Sequence, residues 1–286
     1  MEVQIDPFFD EVTFTVSYLV SDPETRHAAI IDSVLDFDPK SGRTGTRSAD
    51  RILSTAREKD LSIDWILETH AHADHISAAC YLADKTGART GIGEHIVDVQ
   101  RAFIPIFNAK DVRPDGSSFD RLFKDGDRLE LGGIEVEVVY TPGHTPACVS
   151  YRIGDNLFVG DTLFMPDYGT ARTDFPGGDA RALYRSIRRL LDFPPETKLW
   201  MCHDYKAPGR DQFAWQTTVI EERQRNIHIR DGIGEEDFVK MRTARDKTLS
   251  MPALILPSVQ VNMRAGQMPP PAEDGQVYLL LPLNRL

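Results

Sequence analysis

Four side chains that commonly bind metal ions lie within residues 70–75, whose sequence is HAHADH. They are His70, His72, Asp74 and His75, and they directly follow the apolar run at residues 65–67. Imidazoles beside a carboxylate suit zinc, iron or manganese better than calcium or magnesium, which prefer oxygen ligands. A cluster of histidines in one turn contributes nothing to packing, so chance placement in an ordinary polar turn is the weaker explanation. The segment therefore predicts a metal site.

Three further polar residues stand where predicted strands end. His144 lies in Pro-Gly-His-Thr after the strand at 134–140, Asp161 closes the strand at 157–161, and His203 follows the strand at 198–201. Rigid strands that bring ligands to one edge of a sheet make a preorganised site, and the glycines at 143 and 160 allow close backbone approach. We therefore expect these three side chains to join the cluster. The remaining histidines are expected to be surface or structural residues: His27, His95 and His228.

The composition is that of a soluble globular protein, with 286 residues, 41% hydrophobic and 27% charged. Lys and Arg number 33 and Asp and Glu 44, which gives a formal net charge of −11. This balance argues against non-specific binding to nucleic acid or to anionic membranes, both of which need a basic surface. A small anionic substrate would need local Arg or Lys residues.

No run of eighteen apolar residues is present, and the acidic N-terminus lacks the apolar segment of a signal peptide. The three cysteines are an odd number without a C-x-x-C spacing, which favours a reducing compartment over a disulfide scaffold. The sequence thus predicts a cytoplasmic protein with no membrane partner.

The order of the elements predicts an α/β fold. Strand pairs come first, strands then alternate with helices, and this pattern repeats after Gly160. An αβ/βα sandwich of two mixed sheets covered by helices fits this order better than a doubly wound sheet. We expect one domain over residues 1–286, with a C-terminal helical and loop extension from about residue 204. The sequence pattern also predicts a loop at 36–47, helices at 49–59 (capped by Ser48), 75–86, 180–191 and 215–230, and a strand at 277–281.

The combined pattern of HxHxDH, PGHT, Gly-Asp and a later His resembles the metallo-β-lactamase fold superfamily. Within it, the chain is similar to the persulfide dioxygenases, also called sulfur dioxygenases. The stretches that carry this similarity are residues 69–75, 142–148, 171–175 (Ala-Arg-Thr-Asp-Phe), 203–205 (His-Asp-Tyr) and 262–264 (Asn-Met-Arg). The chain looks closest to the bacterial β-lactamase-like hydrolase branch, with the segment at 36–47 as a less familiar embellishment.

The resemblance implies one Fe(II) per chain, held by His70, His144 and Asp161. Such a set of two histidines and one carboxylate leaves positions open for a sulfur ligand and O2. The implied reaction oxidises a thiol persulfide, typically glutathione persulfide, to sulfite and thiol, and a homo-oligomer is a further expectation. Residues that would orient the ligands and hydrogen-bond bound water are His72, Asp74, His75 and His203. Residues that would contact substrate are Tyr205, as a hydrogen-bond donor, and Arg172 and Arg264, as clamps for carboxylates.

The residues themselves leave an alternative open, because all seven ligands of a dinuclear hydrolase are present. His70, His72 and His144 would hold one zinc, Asp74, His75 and His203 a second, and Asp161 would bridge them. Two zinc ions sharing a hydroxide that attacks a carbonyl would make a thioester hydrolase of the glyoxalase II type. A non-enzymatic metal-binding protein is a third class, which the acidic composition does not support. For both arginines, the alternative to a clamp is an ordinary salt bridge, and Asp174 stands close enough in sequence to pair with Arg172.

Overall fold

Two six-stranded mixed sheets form the centre of the molecule in the computed structural model, which describes residues 3–285. The first sheet has the order β1-β2-β3-β6-β8-β9: β1 (Gln4–Asp10), β2 (Thr15–Ser21), β3 (His27–Ile31), β6 (Ser62–Leu67), β8 (Arg89–Gly93) and β9 (Arg121–Phe123). The second has the order β10-β11-β12-β13-β14-β15: β10 (Arg128–Leu131), β11 (Ile134–Tyr140), β12 (Val149–Ile153), β13 (Asn156–Phe158), β14 (Lys198–Trp200) and β15 (Gln216–Thr218). A small third sheet joins β4 (Val34–Asp38), β5 (Arg43–Gly45) and β7 (Ile76–Ser77).

The two large sheets pack face to face over an apolar core. β2 is buried along its whole length, as expected for a strand with neighbours on both sides and layers on both faces. Aromatic side chains from both sheets meet in this core, including Tyr18, Trp65 and Tyr151. Since apolar burial contributes about 25 cal/mol per Å², these large side chains dominate the attraction between the sheets.

Helices cover the outer faces of the sheets. The helices are α1 (Arg47–Glu58), α2 (Ala79–Thr86), α3 (Ile96–Phe107), α4 (Ala180–Leu191), α5 (Val219–Arg225), α6 (Glu235–Asp246) and α7 (Ile255–Asn262). α1 and α2 pack on the first sheet through Ile52, Leu53 and Leu82. α4 packs on the second sheet through Leu183 and Ile187, and its N-cap Asp179 accepts hydrogen bonds from two backbone N–H groups. The predicted sandwich of two mixed sheets covered by helices is confirmed.

Several local predictions were wrong. Residues 36–47 are not a loop: β4 and β5 pair there as an antiparallel hairpin, and α1 begins at once after it. Ser48 lies inside α1 and donates its hydroxyl to Asp36 instead of capping the helix. The helix expected from residue 75 begins only at Ala79, after the short strand β7. The helix expected at 215–230 was also wrong at its start, where the strand β15 lies instead. In the tail, residues 277–281 form no strand within the described part of the chain.

Among residues 3–285, no helix has the length and apolar character needed to cross a membrane. The single-domain organisation over residues 1–286 stays a prediction. The C-terminal extension from about residue 204 likewise stays a prediction; helices α5–α7 and strand β15 follow His203 in the chain.

Candidate metal centre

The strand directions explain why distant ligands meet. β11 and β12 are antiparallel, as are β12 and β13, whereas β13 and β14 are parallel, so β11, β13 and β14 all run the same way. Their carboxyl ends therefore lie at one edge of the second sheet and deliver His144, Asp161 and His203. In the first sheet, β6 ends at Leu67 and the chain continues directly into the HAHADH segment.

Two glycines are required by this geometry. Gly143 has φ +139°, and a Cβ there would lie 2.3 Å from the Leu183 backbone of α4. Gly160 has φ +53°, and a Cβ there would lie 2.5 Å from the Thr69 hydroxyl oxygen. Glycine adopts positive φ at no steric cost, so both turns can close against their neighbours and aim the following residue into the site.

All seven predicted ligands are brought together, and among the described residues two of the four groups that could hold a metal consist of predicted ligands alone, while the other two include Cys202. The ligand atoms of His70, His144 and Asp161 lie within 4.8 Å of one another. A second group with the same spacing is formed by His72, Asp74, His75 and His203. The groups adjoin, because His203 Nε2 lies 3.1 Å from Asp74 Oδ2 and 3.4 Å from Asp161 Oδ1.

The donor atoms have the character of metal ligands. Within residues 3–285, five buried atoms in this cluster have no hydrogen-bond partner: His70 Nε2, His72 Nδ1, His75 Nε2, His203 Nε2 and Asp161 Oδ1. Leaving one buried polar group unsatisfied costs about 1–3 kcal/mol, so five in one place indicate a missing shared partner. Imidazole nitrogens with a carboxylate oxygen suit iron or zinc, and the residues fit such an ion.

Hydrogen bonds behind the ligands fix which ring nitrogen faces the centre. The Asp32 carboxylate accepts from the Thr69 hydroxyl at 2.8 Å, so that hydroxyl oxygen is left to accept from His70 Nδ1 at 3.0 Å. A proton on Nδ1 leaves the His70 Nε2 lone pair free for a metal. The Arg172 carbonyl does the same for His144, accepting from its Nδ1 at 2.8 Å.

Electrostatics distinguish His70 from His72. Burial, together with the nearby His72 and His144, lowers the pKa of His70 well below its usual range and keeps that ring neutral. For His72, burial is outweighed by the carboxylates of Asp32 and Glu68, which raise its pKa well above the usual range. His72 Nε2 lies 3.0 Å from Asp32 Oδ1 and 3.3 Å from Glu68 Oε2. The His70 ring is thus available as a ligand, whereas the His72 ring is a partner of two carboxylates.

A cavity of about 680 Å³ opens onto the cluster. Asp74, His144 and Asp161 reach its surface, and Phe164 and Tyr205 stand among its walls. This volume is typical of small-molecule sites, which are concave and largely apolar with a few polar groups.

Of the three predicted substrate residues, two line the cavity and one does not. Tyr205 lines the cavity and stacks on His203, with ring centroids 5.5 Å apart. Arg172 also lines it, but its Nε and Nη2 donate to both oxygens of Asp174, at 2.5 and 2.7 Å. Arg264 is not among the cavity residues of the described chain: it forms a bidentate pair with Asp111, with both N–O distances 2.8 Å. Its predicted clamp role stays a prediction that no contact in residues 3–285 supports.

Sequence reasoning missed the residues behind the ligands. Asp32, which orients two histidines, follows β3 and adopts φ +52°. Glu68 is buried next to His72, and Thr15 contacts the Nδ1 atoms of His75 and His203. The one available signal was an aspartate closing a fully apolar strand, the same feature that identified Asp161. His228, expected to be a surface or structural residue, lines the cavity.

The metallo-beta-lactamase superfamily model matches residues 10–203, a span that contains all seven ligands. The chain belongs to this superfamily. It is 53% identical to a probable metallo-hydrolase from Burkholderia pseudomallei, over 99% of both chains. It is 50% identical to a beta-lactamase hydrolase-like protein from Xylella fastidiosa, of which it spans 65% of the length, and 99% of this chain is covered.

Homologues with the predicted activity are also present. The human mitochondrial persulfide dioxygenase ETHE1 is 31% identical, over 92% of this chain and 89% of that protein. The crystal structure of ETHE1 from Myxococcus xanthus superposes with a TM-score of 0.74 at 32% identity, covering 92% of this chain and 100% of that one. TTHA1623, solved in a di-iron-bound form, matches at 26% identity with a TM-score of 0.57, over 78% of this chain and 98% of that one. The predicted family is confirmed. Members of this superfamily are metal-dependent enzymes, hydrolases or dioxygenases, and the cluster described above is a candidate metal site of that kind.

Proposed function

We propose that the chain is a mononuclear iron persulfide dioxygenase, whose substrates are O2 and a thiol persulfide such as glutathione persulfide. One persulfide, one O2 and one water would give one thiol, one sulfite and two protons. The terminal sulfur loses four electrons and O2 accepts four, so no further reductant is needed.

The observation that carries this proposal is the grouping of His70, His144 and Asp161 as a three-residue set beside the cavity. Two histidines and one carboxylate with open positions are typical of non-haem Fe(II) oxygenases. His72 does not join this set: its Nε2 contacts Asp32, and its ligand atoms group with Asp74, His75 and His203. The similarity to ETHE1 over most of the chain supports the same assignment.

The protein residues would position the reactants. An Fe(II) bound by the three-residue set would supply adjacent open positions for sulfur and O2 and mediate electron transfer between them. The Thr69 hydroxyl and the Arg172 carbonyl hold His70 and His144 with their Nε2 atoms toward the centre. Phe164 and Tyr205 form aromatic walls of the cavity in which the substrate would lie.

A specific observation favours a second candidate, a dinuclear zinc thioester hydrolase. The four-residue set of His72, Asp74, His75 and His203 has ligand atoms within 4.8 Å of one another. Three of its ring nitrogens are buried without a partner in the described chain. That geometry also suits a second metal, and the structural relative TTHA1623 was solved in a di-iron-bound form.

One experiment separates the two candidates. Protein loaded with Fe(II) or with Zn(II) is given glutathione persulfide or S-lactoylglutathione, with and without O2. We expect sulfite and oxygen uptake from the iron form and one iron per chain. Oxygen-independent cleavage of the thioester by the zinc form, with no sulfite from the iron form, would reject the dioxygenase. Asp161→Ala should lose iron and activity, whereas Asp155→Ala, in the exposed turn before β13, should keep both.

A further inference from the structure

Positively charged side chains line the cavity in addition to the candidate metal ligands. Three arginines line it: Arg172, Arg242 and Arg245. A cavity that holds acidic ligands in a chain of net charge −11 does not attract anions by its overall field. A positively charged contact for a substrate carboxylate away from the metal centre would therefore come from one of these arginines.

Two of the three are already neutralised. Arg172 is paired with Asp174, and its Nη1 donates to the Ser250 carbonyl at 2.6 Å. Arg242 is buried, its Nη2 lies 2.6 Å from Asp246 Oδ1, and its Nη1 donates to the Thr170 carbonyl at 3.0 Å. Both guanidinium groups thus have carboxylate partners and serve the local structure.

Arg245 differs from them. It lies in the last turn of α6 and is exposed, and within residues 3–285 its side chain has no carboxylate partner. Burial raises the pKa of Tyr168, another cavity residue, and the charge of Arg245 opposes that rise; the same charge helps to lower the pKa of His228. The cavity-facing cation that remains free in the described structure is therefore Arg245.

His228, which lines the same cavity, adds a neutral donor. Its Nδ1 accepts the Thr170 backbone N–H at 3.0 Å, so the ring proton resides on Nε2. Burial and the charges of Arg242 and Arg245 lower the pKa of His228 to about 4, which keeps the ring neutral at physiological pH. No residue of the described chain accepts a hydrogen bond from this Nε2–H.

We propose that Arg245 and His228 form an anion subsite of the cavity, which binds a carboxylate of the thiol carrier while its sulfur lies at the metal centre. This proposal rests on the proposed function for the identity of the substrate. It assigns carboxylate recognition to Arg245 instead of Arg172 or Arg264, both of which have carboxylate partners of their own. Guanidinium groups bind carboxylates through paired, charge-assisted hydrogen bonds, which gives the subsite selectivity for anions.

The test compares Arg245→Gln with Lys247→Gln. Both residues are exposed cations at the end of α6, so the two variants lose the same charge, but Lys247 is not among the cavity residues of the described chain. Binding of glutathione and of its diethyl ester to the metal-loaded protein is measured by calorimetry without oxygen. We expect Arg245→Gln to weaken binding of glutathione about 10-fold, the effect of one charge-assisted contact at a partly exposed site. The ester should bind wild type and Arg245→Gln equally, and Lys247→Gln should match wild type throughout.

The subsite would be overturned if the two variants bound glutathione equally well, or if the wild type did not bind glutathione. It would also be overturned if Arg245→Gln weakened binding of the diethyl ester as much as binding of glutathione. Oxygen uptake with glutathione persulfide is measured in parallel. Loss of binding in Arg245→Gln without any oxygen uptake by the wild type would retain the subsite and reject the dioxygenase. Oxygen uptake by the wild type that is unchanged in Arg245→Gln, at persulfide concentrations below saturation, would retain the dioxygenase and reject the subsite.

Discussion

Asp32→Asn tests the hydrogen-bond chain that prepares the ligands. The Asp32 carboxylate accepts the Thr69 backbone N–H at 2.7 Å, the Thr69 hydroxyl at 2.8 Å and His72 Nε2 at 3.0 Å. An asparagine keeps one acceptor oxygen, which must face the backbone N–H and His72, because an NH2 there would meet two donors. Its NH2 then donates to the Thr69 hydroxyl, which turns its own proton toward His70 Nδ1. The proton of His70 is thereby favoured on Nε2, the atom needed for the metal.

The magnitude follows from the tautomer that His70 must give up. To bind a metal through Nε2, His70 must move its proton to Nδ1, which then faces the proton of the Thr69 hydroxyl, and a buried donor left without an acceptor costs about 1–3 kcal/mol. At about 1.4 kcal/mol per tenfold change, metal affinity should fall roughly 10- to 100-fold. The same range is typical for loss of a carboxylate that supports a ligating histidine.

The assay is competition for Fe(II) or Zn(II) against a chromophoric chelator, with folding checked by thermal unfolding. Asp22→Asn is the matched control, since the Asp22 carboxylate also accepts a threonine hydroxyl, from Thr25 at 2.6 Å, and a backbone N–H, from Gly133 at 2.8 Å, but outside the site. Both variants should lose stability, and only Asp32→Asn should lose metal affinity. Wild-type affinity in a folded Asp32→Asn protein would refute the argument.

Three other variants test further parts of the site. His203→Ala should keep one metal per chain and lose roughly 10- to 100-fold in activity; a fall from two metals to one, by elemental analysis, would indicate the dinuclear hydrolase instead. Arg264→Ala should lower the free energy of unfolding by about 1–3 kcal/mol near neutral pH, a moderate loss because its partner Asp111 is partly exposed. KM should not change, because Arg264 is not among the cavity residues of the described chain. The pair lowers the pKa of Asp111, so its contribution is full above the usual carboxyl pKa of about 3.9 and is lost on further acidification; a raised KM with unchanged stability would contradict this. Gly160→Ala should lower the free energy of unfolding by roughly 2–4 kcal/mol, because of its positive φ and the clash of the new Cβ with Thr69. Gly126→Ala is the control, with an expected loss of roughly 1–2 kcal/mol, because its φ is +77° and nothing lies within 4 Å of the new Cβ. Equal unfolding midpoints of the two variants would show that the turn at Gly160 can move to relieve the clash.

The sequence by itself determined the fold class and the candidate ligands that the structure brings together. The residue types at 70–75 are sufficient because ligands two and four positions apart in one turn are close whatever the tertiary packing. His144, Asp161 and His203 could be predicted since each follows an apolar strand, and strand ends gather at sheet edges. The αβ/βα sandwich followed from the order of strands and helices, which depends on local periodicity.

Only the tertiary structure showed which of the seven candidate ligands lie closest to one another and which residues support them. Asp32 contacts residues 37 and 40 positions away, and Arg264 pairs with Asp111 at a separation of 153 positions. Periodicity carries no information about such pairs, because they depend on the twist and docking of whole sheets. For the same reason the sequence could not tell a paired arginine such as Arg264 from Arg245, which has no carboxylate partner in the described chain and lines the cavity. Which charge stays available to a substrate is set by the partner that folding brings to it, and that partner is usually far away along the chain.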